Sequence, residues 1–337
     1  MEYAHPHVTS PVLLEVCQRL NVFPCLPKPS FKKKSEASVS ILSSRLNTNT
    51  YDHLRVLNSE GTGLNPDFEV VKTLYLLEIA ATEVDLLIHK STGEYFILKR
   101  IYKDKLLCQE HRDSAARELQ IHSQLNHPNI VDNIDAGETE KEFMELLEFV
   151  PRPNYFTEKI EINNAPFYTR RDGGIQKLKS FCFDILQGLK FLHSVKVIHM
   201  DIKPANLLLS TKVTDDEYSI VKICDFGLSK IVNDDGTVQI SLRCGTEPYI
   251  APEVKPGALV TAAVDIWSFG IFLYILTVGY SPTTLKWKPG MPLPSYPRHW
   301  KKYEGTGLFD MIDKCLKLDP KQRITAAELL QHQFLTL

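Results

Sequence analysis

Four short motifs in the second half of the chain contain side chains that could act on a phosphate group with a divalent cation. In order along the sequence they are His199-Met200-Asp201-Ile202-Lys203-Pro204-Ala205-Asn206, Asp225-Phe226-Gly227, residues 245–253 and residues 265–270. Carboxylate and amide oxygens suit a hard cation such as Mg²⁺, and a lysine neutralises phosphate charge. A single triplet such as Asp-Phe-Gly often occurs by chance, whereas four such motifs in this order rarely do, so together they are strong evidence of one shared function.

The four motifs, together with a lysine and a helical glutamate upstream, strongly resemble the protein kinase superfamily. The resemblance covers about residues 72–336, close to four fifths of the chain. It implies an α+β, bilobal protein kinase fold. We expect a small β-rich N-lobe with one key helix over about residues 71–149, and a larger α-rich C-lobe over about residues 150–337.

The resemblance assigns the transfer chemistry to four residues. Phosphoryl transfer leaves little covalent work to the protein, so these residues position groups and neutralise charge. Asp201 is expected to act as the catalytic base for the substrate hydroxyl, and Lys203 to neutralise charge on the γ-phosphoryl group. Asn206 and Asp225 are expected to bind Mg²⁺. A lysine two residues after the catalytic aspartate is the serine/threonine pattern of the family.

The same matching implies an ATP site in the N-lobe. Lys99 corresponds to the strand lysine that pairs the α- and β-phosphates, and Glu118 to the helix glutamate that orients this lysine. Val84 is expected to cover the adenine. The other expected contacts with the nucleotide are Leu76, Ile97, the gatekeeper Leu147, and the hinge residues Glu148 and Val150.

Further matches belong to the scaffold of the C-lobe. Asp265 is expected to brace the backbone of the catalytic loop, and Thr246 to contact that loop beside the substrate site. Glu253 is expected to pair with Arg323. Isolated residues of these types usually lie on the surface, so these expectations rest on the resemblance alone.

The sequence departs from the family pattern where the nucleotide is held. The segment before Val84 should contain three spaced glycines, yet residues 77–82 contain none. Glycine lets backbone amides approach phosphates closely, and some of these positions favour φ > 0. Ile97 stands where the family usually has alanine, and its bulk should narrow the adenine pocket. Met200 replaces the arginine that normally pairs with an activation-loop phosphate, so phosphorylation of a loop residue such as Thr237 or Ser241 should matter less.

Residues 1–70 differ in amino-acid composition from the rest of the chain. They are rich in Pro, Ser and Asn and contain only short apolar clusters. This composition predicts a largely flexible N-terminal extension, with room for one docked helix near residues 11–21.

The remaining sequence predicts strands first and helices later. Short β-type runs predict strands at 74–77, 84–88, 95–98, 130–136 and 143–149, with a hairpin turn at 91–94. Helical patterns follow at 115–119, 175–194, 262–279, 307–317 and 325–333. The last helix opens on Thr325 with Glu328 three residues later, which is a capping-box pattern.

Composition limits the class of partner and the compartment. The 337 residues carry a formal net charge of −2, which argues against nucleic acid or a membrane surface as the main partner. The longest apolar run, Ile266 to Tyr280, has about 15 residues and is too short to span a bilayer. Seven scattered cysteines without a Cys-x-x-Cys pair, and a start unlike a signal peptide, are typical of a cytoplasmic or nuclear protein. The oligomeric state is left open.

The sequence therefore favours a serine/threonine protein kinase that transfers the γ-phosphate of ATP to protein hydroxyls with Mg²⁺, and that binds nucleotide weakly or atypically. The glycine-free loop and Ile97 favour an alternative, a pseudokinase that acts as a binding or allosteric module. Transfer to a small molecule is a third hypothesis. Residues 248–253 and Asp265 resemble a platform for protein substrates and argue against it.

Overall fold

The N-terminal lobe is built on an antiparallel β-sheet that fits the alternating apolar runs of the sequence. The computed structural model describes residues 54–77, 81–153, 155–157, 174–210, 219–294 and 304–336. The strands of this sheet are β1 (Phe68–Leu77), β2 (Thr82–His89), β3 (Tyr95–Tyr102), β4 (Asn133–Glu138) and β5 (Glu142–Glu148). Their spatial order is β1-β2-β3-β5-β4. Helix α1 (Gln109–His122) follows β3 and packs against β5.

The predicted hairpin between β2 and β3 is confirmed. The amide of His89 donates to the carbonyl of Glu94 at 2.9 Å, and the amide of Gly93 donates to the carbonyl of His89 at 2.8 Å. Gly93 has φ +72°, a conformation that glycine adopts without the clash of a Cβ atom. The turn therefore fixes the register of the two strands that carry the cleft residues.

The two faces of the sheet are buried by different parts of the molecule. Cross-strand partners share a face, and the register pairs Val84 with Lys99 and Lys99 with Glu145 on the face towards α1. The opposite face is apolar, and the side chains buried on it are Leu87, Phe96, Leu98, Met144 and Leu146. A sheet with an apolar outer face needs a cover, because exposed apolar surface of this size is unfavourable.

The segment 54–68 provides this cover, and this corrects the predicted domain boundary at residue 70. Leu54, Val56 and Phe68 are buried with the outer face of the sheet in one apolar cluster. The amide of Val56 donates to Asp135 Oδ2 at 2.7 Å. Leu57 occupies the space above Gly137, where an added Cβ would lie 2.6 Å from Leu57 Cγ. Residues 1–53, including the helix predicted near 11–21, lie outside the described residues.

The larger lobe is mainly helical, so the predicted α+β, two-lobed arrangement is confirmed. Its helices are α2 (Gly174–Ser194), α3 (Ala263–Val278), α4 (Leu308–Cys315), α5 (Ala326–Leu329) and α6 (Gln333–Thr336). Short strand pairs join the loops between the helices: β6 (Val197–Ile198) with β9 (Lys230–Ile231), β7 (Leu207–Leu209) with β8 (Val221–Ile223), and β10 (Val238–Gln239) with β11 (Leu259–Val260). Helix α3 is buried on every side, which explains its apolar sequence. In the part of the chain that the structure describes, no helix is long and apolar enough to cross a membrane.

Several predicted elements have different bounds in the structure, among them β1, which begins at Phe68 and not at residue 74, and α1, which is longer than the predicted 115–119. Two further differences have a clear structural cause. The strand predicted at 130–136 begins only at Asn133, because Ile130 forms a bridge to Ile223 of β8 and is buried against the larger lobe. The helix predicted at 325–333 is two short helices. Its capping box at Thr325 and Glu328 is confirmed, but His332 accepts from the amide of Phe334 at 3.3 Å and starts a second turn.

We expect Leu54→Ala to destabilise the protein although Leu54 lies before the predicted domain boundary. Its side chain is 5% exposed and packs in the cluster on the outer face. Loss of a buried leucine side chain costs about 2–5 kcal/mol of the free energy of unfolding. Urea titration followed by circular dichroism measures the change. The matched control is Val71→Ala in β1, whose side chain is 48% exposed. Equal effects of the two substitutions would show that segment 54–68 is not part of the folded lobe.

Candidate active site

The loop that carries Asp201 is held by a buried carboxylate from helix α3. Asp265 is fully buried, its Oδ1 accepts from the amide of Met200 at 2.9 Å, and its Oδ2 accepts from the amide of His199 at 2.9 Å. His193 Nε2 lies 2.9 Å from the same Oδ2. Met200 has φ +72°, a left-handed conformation that costs energy in a non-glycine residue. The carboxylate compensates this cost, as the predicted bracing role of Asp265 requires.

Asp201, Lys203 and Asn206 form one compact group on this loop. Lys203 Nζ lies 2.6 Å from Asp201 Oδ2 and donates to Thr246 Oγ1 at 2.8 Å. Asn206 Nδ2 donates to the carbonyl of Asp201 at 2.9 Å. All three loop residues are buried. Each therefore has its orientation fixed by a hydrogen bond to another member of the group or to Thr246.

Two oxygens of this group remain available for a ligand. Asp201 Oδ1 and Asn206 Oδ1 are buried and make no hydrogen bond within the described residues. Buried polar atoms without a partner are costly, so their presence in a cleft indicates a place where a substrate or cation binds. Asp201 Oδ1 is free to accept a proton, and Asn206 Oδ1 is free to contact a cation.

Asp225 places a carboxylate near Asn206. Its backbone has φ +67°, and the amide of Cys224 before it donates to the carbonyl of Asn206 at 3.0 Å. Although burial opposes ionisation, Lys99 and Lys203 lower the pKa of Asp225 to about 2. Asp225 is therefore an ionised, hard oxygen ligand at neutral pH, and together with Asn206 Oδ1 it fits Mg²⁺. No three His, Cys, Asp or Glu side chains of the described residues form a metal cluster, so phosphate oxygens would have to complete the coordination.

Lys99 connects this ligand to helix α1. Its Nζ forms an ion pair with Glu118 Oε1 and lies 3.4 Å from Asp225 Oδ1. Although burial opposes the charged form, Glu118 and Asp225 hold the pKa of Lys99 well above its ordinary value. Burial raises the pKa of Glu118, with Lys99 acting in the opposite direction. The predicted pairing of these two residues is thus present, and the cation is directed to the end of the cleft where Asp225 lies.

The upper wall of the cleft contains Tyr75 and not Leu76. The register pairs Tyr75 with Val84, the cross-strand partner of Lys99, and pairs Leu76 with Glu83, the partner of Arg100. Leu76 therefore lies on the opposite face of the sheet, with 47% of its surface exposed. The prediction that Leu76 contacts the nucleotide is wrong. The pairing of β1 with β2 is irregular, with register shifts between residues 70 and 72 and between 73 and 75, so counting along the sequence does not give this register.

Tyr75 is a residue of this wall that sequence reasoning missed. Its half-buried phenol lies close enough to the phosphate end of the cleft that burial and the charge of Asp225 raise the pKa of Tyr75 to about 12. The hydroxyl is a neutral hydrogen-bond donor at physiological pH. Tyr75 and Leu76 alternate between the two faces of β1, and only the pairing register with β2 shows which of them faces the cleft.

The remaining predicted nucleotide contacts lie along the same face of the sheet. Ile97 pairs with Leu86 on one side and with Leu147 on the other. Val84, Ile97 and Leu147 are half-buried, as expected of side chains that line an open cleft. Ile97 thus adds its bulk directly to the pocket.

The hinge residue Glu148 directs its side chain away from the cleft. Glu148 Oε1 accepts from the amide of Asp132 at 2.8 Å and forms an ion pair with Lys222 of β8. Burial raises the pKa of Glu148, and Lys222 opposes this effect. Val150, two residues further along, is buried. Contacts of Glu148 with a nucleotide must therefore come from its backbone.

The comparison with known protein families agrees with this geometry. The family model described as "Protein kinase domain" matches residues 80–335. The chain belongs to the protein kinase family. The predicted fold and family are therefore confirmed, and the sheet lobe and helical lobe are the N-lobe and C-lobe of a protein kinase domain.

Curated relatives that this kinase domain is similar to include two calcium-dependent protein kinases and one calcium/calmodulin-dependent protein kinase. Calcium-dependent protein kinase 9 of Arabidopsis thaliana is 34% identical over 283 residues, 80% of this chain and 49% of the relative. Calcium-dependent protein kinase 33 of the same plant is 33% identical over 81% of this chain and 52% of the relative. Calcium/calmodulin-dependent protein kinase type IV of Mus musculus is 33% identical over 65% of this chain and 45% of the relative. The chain spans about half the length of these curated relatives.

The predicted ion pair of Glu253 and Arg323 is present in the C-lobe of the kinase domain. Arg323 Nη1 donates to Glu253 Oε1 at 2.6 Å and Nη2 donates to Oε2 at 3.2 Å, a two-point contact that suits a guanidinium group. The Arg323 guanidinium also lies 5.0 Å from the ring centre of Trp267. The substrate-side segment that ends at Glu253 is thus fixed to the helical core.

The turn of the kinase domain that normally contains glycines uses alanine at a left-handed position. Ala81 has φ +55° and is buried, and its carbonyl accepts from the amide of Tyr102 at 2.8 Å. Residues 78–80 lie outside the described residues, so the prediction that their side chains obstruct phosphate binding stays a prediction. A non-glycine residue in this conformation costs about 1 kcal/mol or more and needs tertiary support, which the contact with β3 provides.

We expect Asp265→Asn to destabilise the kinase domain strongly. The substitution replaces one carboxylate oxygen with an amide donor that faces the donors on His199, Met200 and His193. Breaking a buried charged network of this kind costs about 3 kcal/mol of the free energy of unfolding. The melting temperature and urea titration measure it. The control is Asp313→Asn in α4, which pairs with Lys317 on the surface. A change as small as that of the control would exclude a bracing role for Asp265.

Proposed function

We propose that this protein is an active serine/threonine protein kinase, which transfers the γ-phosphate of ATP to hydroxyl groups of protein substrates with Mg²⁺. The observation that carries the proposal is the arrangement of Asp201, Lys203 and Asn206 beside Asp225 and Lys99 in a single cleft. Membership of the protein kinase family and the names of the relatives support it. The identity of the protein substrates is not specified by these residues.

Each residue of the cleft has a separate task in the proposed transfer. Asp201 Oδ2 is held by Lys203, so Oδ1 receives the proton of the substrate hydroxyl. Lys203 and Thr246 lie on the substrate side, where the lysine neutralises charge on the transferred group. Asn206 and Asp225 would hold Mg²⁺, which neutralises phosphate charge when it is bound. Lys99, oriented by Glu118, fixes the α- and β-phosphates.

Binding of the nucleotide is proposed to be weak or atypical. The loop before Val84 contains no glycine, and Ile97 narrows the space between β2 and β5. Tyr75 partly offsets these losses, because its hydroxyl can donate to a phosphate oxygen near Lys99 and Asp225. Protein kinases that keep the chemistry but hold ATP less firmly have a higher KM for ATP.

Regulation by a phosphate on the activation loop is proposed to be minor. Met200 occupies the position of the usual arginine, and its side chain is 5% exposed. A buried thioether offers no charge to a phosphate on Thr237 or Ser241. The positive φ of Met200 is instead stabilised by Asp265.

The alternative function is a pseudokinase that acts as a binding or allosteric module. The absence of glycine in residues 77–82 and the bulk of Ile97 favour it, since both act on nucleotide binding. The complete group of catalytic side chains favours the active enzyme. Binding and turnover are separate measurements and decide between the two.

We expect Asp201→Asn to abolish phosphate transfer without unfolding the protein. The substitution removes the acceptor for the hydroxyl proton but keeps the shape of the side chain, so turnover should fall at least about a hundredfold. Transfer from radiolabelled ATP to a broad protein panel, and to the kinase itself, measures it.

The control for this substitution is the shift of the melting temperature with Mg·ATP. A ligand that binds only the folded protein raises the midpoint, so both the native protein and Asp201→Asn should show the shift. Transfer by the native protein no higher than by Asp201→Asn would contradict the proposed kinase activity. A shift without turnover would then favour a nucleotide-binding pseudokinase, and no shift at millimolar ATP would favour a module that does not bind nucleotide.

We expect Tyr75→Phe to weaken binding of Mg·ATP about tenfold, because a hydrogen bond to a charged group contributes about 1.5–3 kcal/mol. Binding of adenosine, which has no phosphate, should change less than twofold. Isothermal titration calorimetry with both ligands measures the two affinities. The matched control is Leu76→Ala, the neighbouring residue on the opposite face, which should bind both ligands like the native protein. The reverse pattern would show that Leu76 and not Tyr75 faces the nucleotide.

A further inference from the structure

Helix α1 carries a buried histidine whose two ring nitrogens both contact oxygen acceptors. His122 Nδ1 lies 3.3 Å from Glu145 Oε1, and His122 Nε2 lies 2.8 Å from the carbonyl of Val131. The carbonyl of Val131 can only accept, and Glu145 Oε1 also accepts from Asn133 Nδ2 at 3.1 Å, so both ring nitrogens act as donors and carry a proton. His122 is therefore a cation. It is buried, with only 2% of its surface exposed.

Glu145 is a buried carboxylate next to the lysine of the active site. It lies in the middle of β5, is 1% exposed, and is the cross-strand partner of Lys99. Asn133 Nδ2 donates to the same Oε1 at 3.1 Å. Although burial opposes ionisation, the hydrogen bond from His122 and its charge lower the pKa of Glu145. An ionised carboxylate thus faces the same space as the ammonium group of Lys99.

Lys99 therefore has three carboxylates within reach of its charge. Glu118 comes from α1, Asp225 from the segment after β8, and Glu145 from the neighbouring strand. A cation shared by three anions can be drawn to any of them, and Glu145 is placed on the adjacent strand of the same sheet. A second cation beside Glu145 removes this competition.

His122 is in the position to supply that cation and to fix the helix at the same time. It follows Glu118 by four residues, so the two side chains lie on the same face of α1. Its contact with Glu145 ties this face to β5, and its ring packs on Phe226 with centroids 4.6 Å apart. Phe226 directly follows Asp225 in the sequence. Helix, sheet and metal-ligand segment thus meet at His122.

We propose that His122 is a positioning residue whose positive charge neutralises Glu145 and so reserves Lys99 for Glu118 and Asp225. The proposal rests on the proposed function, because it gives Lys99 the task of holding the phosphates. A role limited to packing on Phe226 would make a different prediction: an apolar residue of similar size at position 122 would then serve equally well, whatever the charge at position 145.

The test compares the native protein with three variants and one control variant. His122→Leu keeps an apolar side chain against Phe226 but removes the cationic partner of Glu145. Glu145→Gln removes only the competing charge, and the double variant removes both charges. The control is His111→Leu, an exposed histidine on the same helix. Affinity for Mg·ATP by calorimetry is compared with the melting temperature of each variant, at a temperature where all are folded.

We expect His122→Leu to raise the Kd for Mg·ATP about tenfold, because the buried carboxylate now competes for Lys99. The double variant should return to within about threefold of the native Kd, since the remaining residue at position 145 is neutral. Glu145→Gln alone and His111→Leu should stay within the same range. A double variant that binds Mg·ATP as weakly as His122→Leu, or affinities that follow the melting temperatures in all variants, would overturn the proposal.

A second measurement separates this proposal from the proposed function. Hydrogen exchange of the peptide amides in residues 109–122 reports how firmly α1 is held and needs no nucleotide. Exchange should be faster in His122→Leu and return towards the native rate in the double variant. If the native protein binds no Mg·ATP but exchange shows this rescue, the positioning role stands and the proposed function fails. If the native protein binds Mg·ATP and neither affinity nor exchange is rescued, the positioning role fails and the proposed function stands.

Discussion

The shared ammonium group of Lys99 is the constraint on which the arrangement of the two lobes depends. Its partners Glu118 and Asp225 come from a helix of the N-lobe and from a loop of the C-lobe. Each carboxylate would be costly to bury alone, because desolvation of an unpaired charge far exceeds the net worth of most contacts. The ion pairs therefore favour a closed arrangement, in which α1, the sheet and the segment that carries Asp225 lie together. In this state the phosphate end of the cleft is already assembled.

The C-lobe supplies a rigid base for this assembly. Helix α3 is buried on every side, so Asp265 extends from an element that has no freedom to move away. Its carboxylate holds a loop in which Met200 has a left-handed backbone. The left-handed backbone of Met200 and the buried carboxylate of Asp265 are each unfavourable alone. Together they are stable, because this backbone directs the amides of His199 and Met200 at the carboxylate, which needs such donors when it is buried. Because Asp201 directly follows Met200, these hydrogen bonds also fix the position of Asp201.

The sequence was sufficient for features that depend on neighbours along the chain. The group at residues 199–206, the capping box at Thr325 and the hairpin turn at Gly93 each follow from residue types a few positions apart. It was insufficient where register or remote packing decides. Tyr75 and not Leu76 faces the cleft because of the register in which β1 pairs with β2, and no residue type in the sequence specifies that register. Segment 54–68 is polar and rich in turn residues, and only the apolar outer face of the sheet explains why it is ordered.

The glycine-free loop at residues 77–82 and Ile97, which depart from the family pattern, concern nucleotide binding and not the groups expected to carry out the transfer. Proton transfer and metal binding need charged groups at fixed distances, and the carboxylates of Asp201 and Asp225 have the chemistry that these proposed tasks require. A nucleotide is held by shape and by hydrogen-bond donors, and many side chains can provide these. Ile97 and Tyr75 both lie on the cleft face, where one fills space and the other adds a donor. Asp201 Oδ1 and Asn206 Oδ1 are buried without hydrogen-bond partners among the described residues. Because a buried oxygen without a partner is costly, these two atoms favour a cleft that binds a ligand over one that serves only to support the fold.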